Sequence, residues 1–300
     1  MTSATTVAGV PLAAPGRSSG LIDVFRHRFL LTLLVRKELR VRYRGSVLGL
    51  LWSYVKPGIQ LVVFYIAMGK FLGLEHSLPN FVIYLFSGIV IANFFGEVFG
   101  NCTRSIVLNA DLVKKIYLPR ELFPVSSVWV AVVHLLPQVL VLVVAALVAG
   151  WRPGWLNIVG AIGALLITMF VALGLGLAFG AFNVYYRDAE NFVDLILIMV
   201  TWLAPVLYTF RQVQDAVTRD ALPSWVLTVY QANPLSAAVE LAHYGFWVPT
   251  RGVAEAFSAG GAMPEHFARW ALLALAVSLV LLTAGQLVFR RLEGRFAQEI

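Results

Sequence analysis

Residues 35–69 read VRKELRVRYRGSVLGLLWSYVKPGIQLVVFYIAMG. Six basic side chains, Arg36, Lys37, Arg40, Arg42, Arg44 and Lys56, run into a segment that is otherwise almost pure hydrocarbon. A helix needs about 20 apolar residues to cross a bilayer, and this run has the length. The charge in front of it belongs at a membrane surface, where long basic side chains keep their heads in water. Lys56-Pro57 inside the run needs a separate reason, because a proline removes a helix hydrogen bond and allows a kink.

The same texture continues along the chain. Of its 300 residues, 59% are hydrophobic and 13% charged, with a mean hydropathy of +0.80. Soluble domains carry about 25% charged residues. A soluble core cannot hide this much apolar surface, so the chain reads as an all-α membrane protein. Apolar stretches near 48–72, 80–102, 122–149, 156–182, 190–210 and 269–289 give six expected transmembrane helices. Residues 21–46 are expected to form an amphipathic interface helix, and 47–300 the six-helix transmembrane domain. Residues 1–20 are small, polar and Pro/Gly-containing and lack the regions of a signal peptide, so they read as a disordered cytoplasmic tail.

Charge orients the spans. Sixteen of the 23 Lys and Arg fall in the N-terminal segment, the 103–121 loop, the 183–189 loop and the C-terminal tail. Cytoplasmic loops carry this excess, so both termini are expected in the cytoplasm. The net charge of +7 therefore needs no nucleic acid to explain it. The segment 211–268 then lies outside. Its apolar middle is interrupted at Asn233-Pro234, which suits two short re-entrant helices over about 215–250. A small extracytoplasmic cap is the alternative.

Several chemistries find no residues to carry them. There is no phosphate-cradling G-x-x-x-x-G-K-[ST] loop, no H-E-x-x-H or G-x-S-x-G, and one cysteine, Cys102. His27, His76, His134, His243 and His266 are scattered over different segments and read as structural, so no metal site is expected. The outer loops lack the paired acids a membrane glycosyltransferase needs. The ionisable span residues Lys56, Glu97 and Asp194 lie away from the midplane, where ion-coupled transporters place theirs. The chain reads as a transport component, not an enzyme, with its energy source elsewhere.

The loop TRSIVLNADLVKKIYLPRELFP (103–124) carries a short helical pattern of Ile106, Leu108, Leu112 and Val113, then Lys114, Lys115 and a stop at Pro119. A short apolar and basic helix of this kind can dock in a groove of another protein, although an ordinary positive loop looks the same.

Five blocks, in order, resemble one family. They are RYRGSVLGLLW with Lys56-Pro57 (42–57), NADLVKKIYLPRELFPVS (109–126), YYRDAENFVDL (185–195), WLAPVLY (202–208) and VYQANPLSAAVE (229–240). Together they resemble the permease subunit of ABC-2 type exporters of lipid-linked polysaccharides. Lys56 stands where that family often has a neutral polar residue, and His243 where an Arg often follows the Asn-Pro turn.

The resemblance implies a homodimer bound to two copies of a separate ATPase subunit that holds the ATP and Mg, with no cofactor in this chain. It implies export of a polyprenyl-linked polymer, such as O-antigen, capsule, teichoic acid or cell-wall galactan, across a bacterial inner membrane. The 103–121 loop would be the cytoplasmic coupling helix, with Ile106, Leu108, Asn109, Asp111, Leu112, Lys114, Lys115, Arg120 and Glu121 meeting the ATPase. Glu121 would pair with a basic ATPase residue, or with Arg120 or Lys115. Aromatic rings pack on sugars, which makes Phe64, Tyr65, Tyr84, Phe94, Phe95, Trp129, Trp202 and Tyr208 channel-lining candidates, or else a lipid-facing belt. Arg36, Lys37, Arg40 and Arg44 form one stripe that anchors the interface helix, at about 1 kcal/mol per residue, or greets the substrate diphosphate. Pro57, Pro205 and Pro234 are candidate hinges. An ion-coupled secondary transporter or flippase of a lipid-linked glycan is the alternative function.

Overall fold

The computed structural model describes residues 6–7, 10–11, 20–115, 118–219, 222–223, 225–250, 252–253 and 267–300. Thr6–Val7 (β1) pairs antiparallel with Val10–Pro11 (β2), and residues 1–5, 8–9 and 12–19 of the expected tail lie outside the described residues. Everything else described is helical or connecting.

The interface segment is two helices, α1 (Leu21–Arg26) and α2 (Arg28–Tyr43). They break at His27, whose Nδ1 bonds the Asp23 carbonyl at 2.9 Å. A 3₁₀ turn, Gly49–Leu51, leads into α3 (Trp52–Phe64), which continues as a π-helical stretch, Tyr65–Phe71. After α4 (Leu74–Ser77) come α5 (Phe81–Leu108), α6 (Ala110–Lys115), α7 (Leu122–Val148) and α8 (Trp155–Tyr185). Then follow α9 (Ala189–Leu203), α10 (Phe210–Thr218), α11 (Trp225–Ala232) and α12 (Pro234–Ala242). The chain closes with α13 (Phe267–Leu292) and α14 (Phe296–Glu299).

Among the described residues, five helical segments are long and apolar enough to cross a membrane: Gly49–Phe71, Phe81–Leu108, Leu122–Val148, Trp155–Tyr185 and Phe267–Glu299. The sixth stretch expected from composition, 190–210, does not form one long helix. Its helix, α9, has 15 residues, about 22 Å at 1.5 Å per residue. Ala204 is extended because Pro205 follows it, and the helix stops there. The freed carbonyls find other donors: Tyr208 Oη donates to Trp202 O at 2.7 Å and Ser236 Oγ to Leu203 O at 3.3 Å.

At the centre stands α8, packed between α5 and α13. Small residues let the backbones approach. A Cβ on Gly285 would lie 2.0 Å from the Gly174 carbonyl oxygen, and one on Gly176 would lie 2.5 Å from Cys102 Cβ. Close small-residue contact is how helices associate where lipid removes the hydrophobic drive. Helix α12 packs on α8, α13 and α5 and is buried from Leu235 to Ala242. Its start is specified locally: Pro234 occupies the first turn, and the Asn233 side chain accepts from Leu235 N at 3.1 Å.

The C-terminal segment meets the end of α8 and the start of α7 on one face of the bundle. Tyr185 Oη donates to Leu292 O at 2.8 Å, Gln286 Nε2 to Glu121 at 3.1 Å, and the Arg120 guanidinium lies 5.7 Å from the Phe296 ring. On α2, Lys37 bonds Asn109, and Ser126 donates to Glu38 at 2.9 Å. The opposite face is tied by Trp247 Nε1 to Pro79 O (2.7 Å) and Asn80 Nδ2 to Thr250 Oγ1 (3.0 Å).

Candidate functional site

Three helices of the bundle each carry a polar pair spaced by four residues: Lys56 and Gln60 on α3, Asn93 and Glu97 on α5, His134 and Gln138 on α7. That spacing places both members of a pair on one helix face. The three faces converge, and the C-terminal end of α2 closes the group. Between them is an open cavity of about 710 Å³. Ser46, Trp52, Ser53 and Pro57 complete its wall.

A hydrogen-bonded chain of side chains and a separate amide pair line it. Arg42 Nη1 lies 2.6 Å from Glu97 Oε1. The same carboxylate oxygen bonds His134 Nδ1. The pattern assigns the imidazole proton to Nδ1, so Nε2 accepts from the Tyr43 hydroxyl at 2.7 Å. Ser53 Oγ sits 3.3 Å from that hydroxyl. Asn93 Nδ2 donates to Gln60 at 3.1 Å and Gln138 Nε2 to His134 O at 3.1 Å. His134 is almost fully buried, while Arg42 and Lys56 remain open to the cavity side. Cations, carboxamides, hydroxyls and one indole together suit a ligand that is anionic at one end and rich in hydroxyls.

Arg42 is the basic residue of α2 that lines the cavity, as Lys56 is that of α3. The expected stripe, Arg36, Lys37, Arg40 and Arg44, is exposed along α2, and only Lys37 makes a described bond, to Asn109. Burial raises the Glu38 carboxyl pKa on the inner side of α2, with the Ser126 hydroxyl, Lys37 and Arg42 opposing that rise.

Of the coupling residues, Leu108, Asp111, Lys114 and Lys115 are exposed and Leu112 and Arg120 half-buried. Ile106, Asn109 and Glu121 lie beneath the surface. Asn109 caps this region inward, with Nδ2 donating to Ser105 O at 2.8 Å. The Glu121 side chain is fully buried and receives Gln286, so in this arrangement it faces α13 and not a partner's surface.

None of the eight aromatic candidates lines the cavity. Tyr84, Phe94 and Phe95 are buried inside the bundle, with Phe95 packed on Phe99 at 5.5 Å. The Tyr84 hydroxyl donates to Tyr208 O at 2.8 Å and its ring stacks on His243 at 3.8 Å, so it props the break after α9. Trp129 and Trp202 point outward, and Phe64, Tyr65 and Tyr208 are half-buried. Pro57 sits inside α3 at the cavity wall, Pro205 ends α9, and Pro234 starts α12.

Residues 30–247, from α2 through the cavity and α6 to the end of the α12 segment, match the family described as ABC-2 type transporter. The chain belongs to the ABC-2 type transporter family. It is 29% identical over 214 residues to an O-antigen export system permease protein RfbA of Klebsiella pneumoniae, covering 70% of this chain and 77% of that one. It is 27% identical over 215 residues to the protein of the same name from Myxococcus xanthus, covering 70% and 82%. As an ABC-2 chain it is a multi-pass membrane permease, and the cavity and the exposed α6 both fall inside the matched region.

Reading the sequence alone missed Arg42 as distinct from its neighbours, and missed Tyr43, His134, Gln60, Asn93 and Gln138 as a group. The four-residue spacing on three separate apolar helices was a usable signal. What it lacked was a reason to put the three faces together.

Proposed function

We propose that this ABC-2 chain is the transmembrane subunit of an ATP-driven exporter that moves a lipid-linked polysaccharide from the cytoplasm across a bacterial inner membrane. The observation that carries the reading is the polar cavity between α2, α3, α5 and α7, which sets Arg42 and Lys56 beside carboxamides, hydroxyls and Trp52 within an apolar helical bundle. Polar side chains at membrane depth are costly unless they serve a path. The phosphate-bearing head of the lipid-linked glycan enters there, with the phosphate on the basic side chains and the first sugar against the amides and indole. The names of the RfbA relatives support polysaccharide as the cargo class.

The energy comes from a separate ATPase subunit, two copies per assembly. It docks on α6, where Leu108, Asp111, Lys114 and Lys115 are exposed. Its closure levers the 103–121 loop against α5 and α7. The face bearing α6, α14 and α2 is then the cytoplasmic one, α9 with the break at Pro205 completes the sixth crossing, and α11–α12 re-enter from outside.

Two copies of the chain form the channel. The span Gly49–Phe71 has 6% of its most apolar window buried within the protomer, against 78% for Phe81–Leu108. Ser53, Lys56 and Gln60 face the cavity, and the second copy covers the exposed apolar side of the span, with Ile59, Val62, Val63 and Ile66. Arg42 already holds the carboxylate that an ion-coupled mechanism would cycle, which weighs against that alternative.

The test is export itself. Cells lacking this chain are supplied with wild type or with an Arg42→Ala/Lys56→Ala variant at equal membrane abundance, and surface glycan is labelled. Wild type restores surface polymer, and the variant leaves it on the inner leaflet. Full restoration by the variant would refute the cavity as the route.

A further inference from the structure

We propose that Arg42 is a latch as well as a ligand: it pins the end of α2 over the cavity, and a phosphate group that takes its guanidinium releases α2. The inference rests on the reading that the cavity receives a phosphate-bearing head.

The apolar contacts of helix α2 with the bundle lie in its first half: Leu34 is buried, and Leu30 and Leu31 pack half-buried against the core. Lys37 to Asn109 and Ser126 to Glu38 tie its middle. At its C-terminal end Arg42 reaches Glu97 and His134, and Tyr43 reaches His134 and Ser53, all in the cavity wall. Beyond Tyr43 the chain is loosely built. Gly45 and Gly49 have φ of +76° and +49°, nothing lies within 4 Å of where their Cβ atoms would be, and Val47 is fully exposed. A helix that leads into so open a connection can swing once its last turn is freed.

The network is arranged so that this release does not leave the Glu97 carboxylate without a hydrogen-bond donor. Losing one partner of a buried ion pair strands the other and makes exchange prohibitive, but here Arg42 is solvent-accessible and Glu97 only partly buried. Here Glu97 Oε1 keeps the His134 Nδ1 proton when Arg42 leaves. His134 in turn keeps Gln138, bonded to its carbonyl, and stays fixed on α7. Arg42 meanwhile exchanges one carboxylate contact for a phosphate, which a guanidinium grips with two parallel bonds. The tie is therefore strong without ligand and exchangeable with one.

Spin labels at Arg40→Cys on α2 and Trp129→Cys on α7 read the motion by pulsed dipolar spectroscopy on the full chain in nanodiscs. Both positions are exposed, and native Cys102 is buried and stays unlabelled. In neutral phosphatidylcholine a single narrow distance is expected. Glu97→Gln alone should broaden and lengthen it, with the monodisperse elution of the parent as the folding control. Farnesyl diphosphate, inorganic pyrophosphate and added phosphatidylglycerol are then tested on the unmutated network. Response to the first alone makes the trigger a lipid-linked diphosphate. Response to the second as well makes it any soluble diphosphate, and response to the third a phospholipid headgroup. An unchanged narrow distance in Glu97→Gln overturns the latch, whatever export assays show. A latch that opens in Glu97→Gln but answers none of the three phosphates overturns the ligand-driven release and, with it, the cavity's proposed cargo.

Discussion

Arg42 and Glu97 stand 55 residues apart in the chain and meet at 2.6 Å, joining the last turn of α2 to the middle of α5. That pair separates one arginine from four neighbours of the same charge. Arg42→Ala should cut export about tenfold or more, since a charge-assisted hydrogen bond to phosphate contributes about 1.5–3 kcal/mol and about 1.4 kcal/mol is a factor of ten. Arg36→Ala/Arg40→Ala, which alters the exposed stripe, should change export less than about twofold. Surface glycan per unit of membrane-inserted protein is the measurement.

The exposed part of the coupling loop should behave as a docking surface. Lys114→Glu/Lys115→Glu should abolish co-purification of the ATPase subunit without lowering the amount of permease in the membrane, because both side chains are exposed. Glu121→Ala acts differently. It strands Gln286 in the bundle, so it should lower thermal stability by about 1–3 kcal/mol while leaving ATPase affinity in the surviving fraction unchanged.

Backbone contact between α8 and α13 leaves no space for a methyl group. Gly285→Ala should destabilise the protein by about 1–3 kcal/mol or more, seen as a lower unfolding temperature in detergent. Gly294→Ala, with nothing near its Cβ position, should be within about 0.5 kcal/mol of wild type in the same assay.

Burial holds the Glu38 carboxyl pKa above its unfolded value. A raised acid contributes stability that is fully present below the unfolded pKa and is lost as pH rises through the folded one. Glu38→Gln keeps an acceptor for Ser126 and carries no charge. Its unfolding temperature should exceed that of wild type near about pH 7 and converge with it near about pH 4, close to the unfolded carboxylate pKa.

Much of the bundle was legible before any coordinates. Long apolar runs between loops rich in Lys and Arg predict helices near 48–72, 80–102, 122–149, 156–182 and 269–289, and helices stand there. The Asn233-Pro234 start of α12 was equally local, since a side-chain cap and a ring-fixed φ act within three residues. The stretch 190–210 misled because hydropathy counts residues and not hydrogen bonds. It sums across Ala204-Pro205, where the helix has to stop.

Side-chain direction was the part composition could not supply. Arg40, Arg42 and Arg44 are chemically the same, yet only the packing of α2 on α7 turns Arg42 inward. Phe94, Phe95 and Tyr84 looked like sugar platforms and are core, because α5 is enclosed by its neighbours. The amino-acid sequence by itself determined that this chain lives in a membrane, where five of its long helices run, and which family it belongs to, since these follow from local composition and ordered motifs. The tertiary structure alone decided which polar residues share a cavity, because three faces with four-residue spacing become one site only when their helices converge.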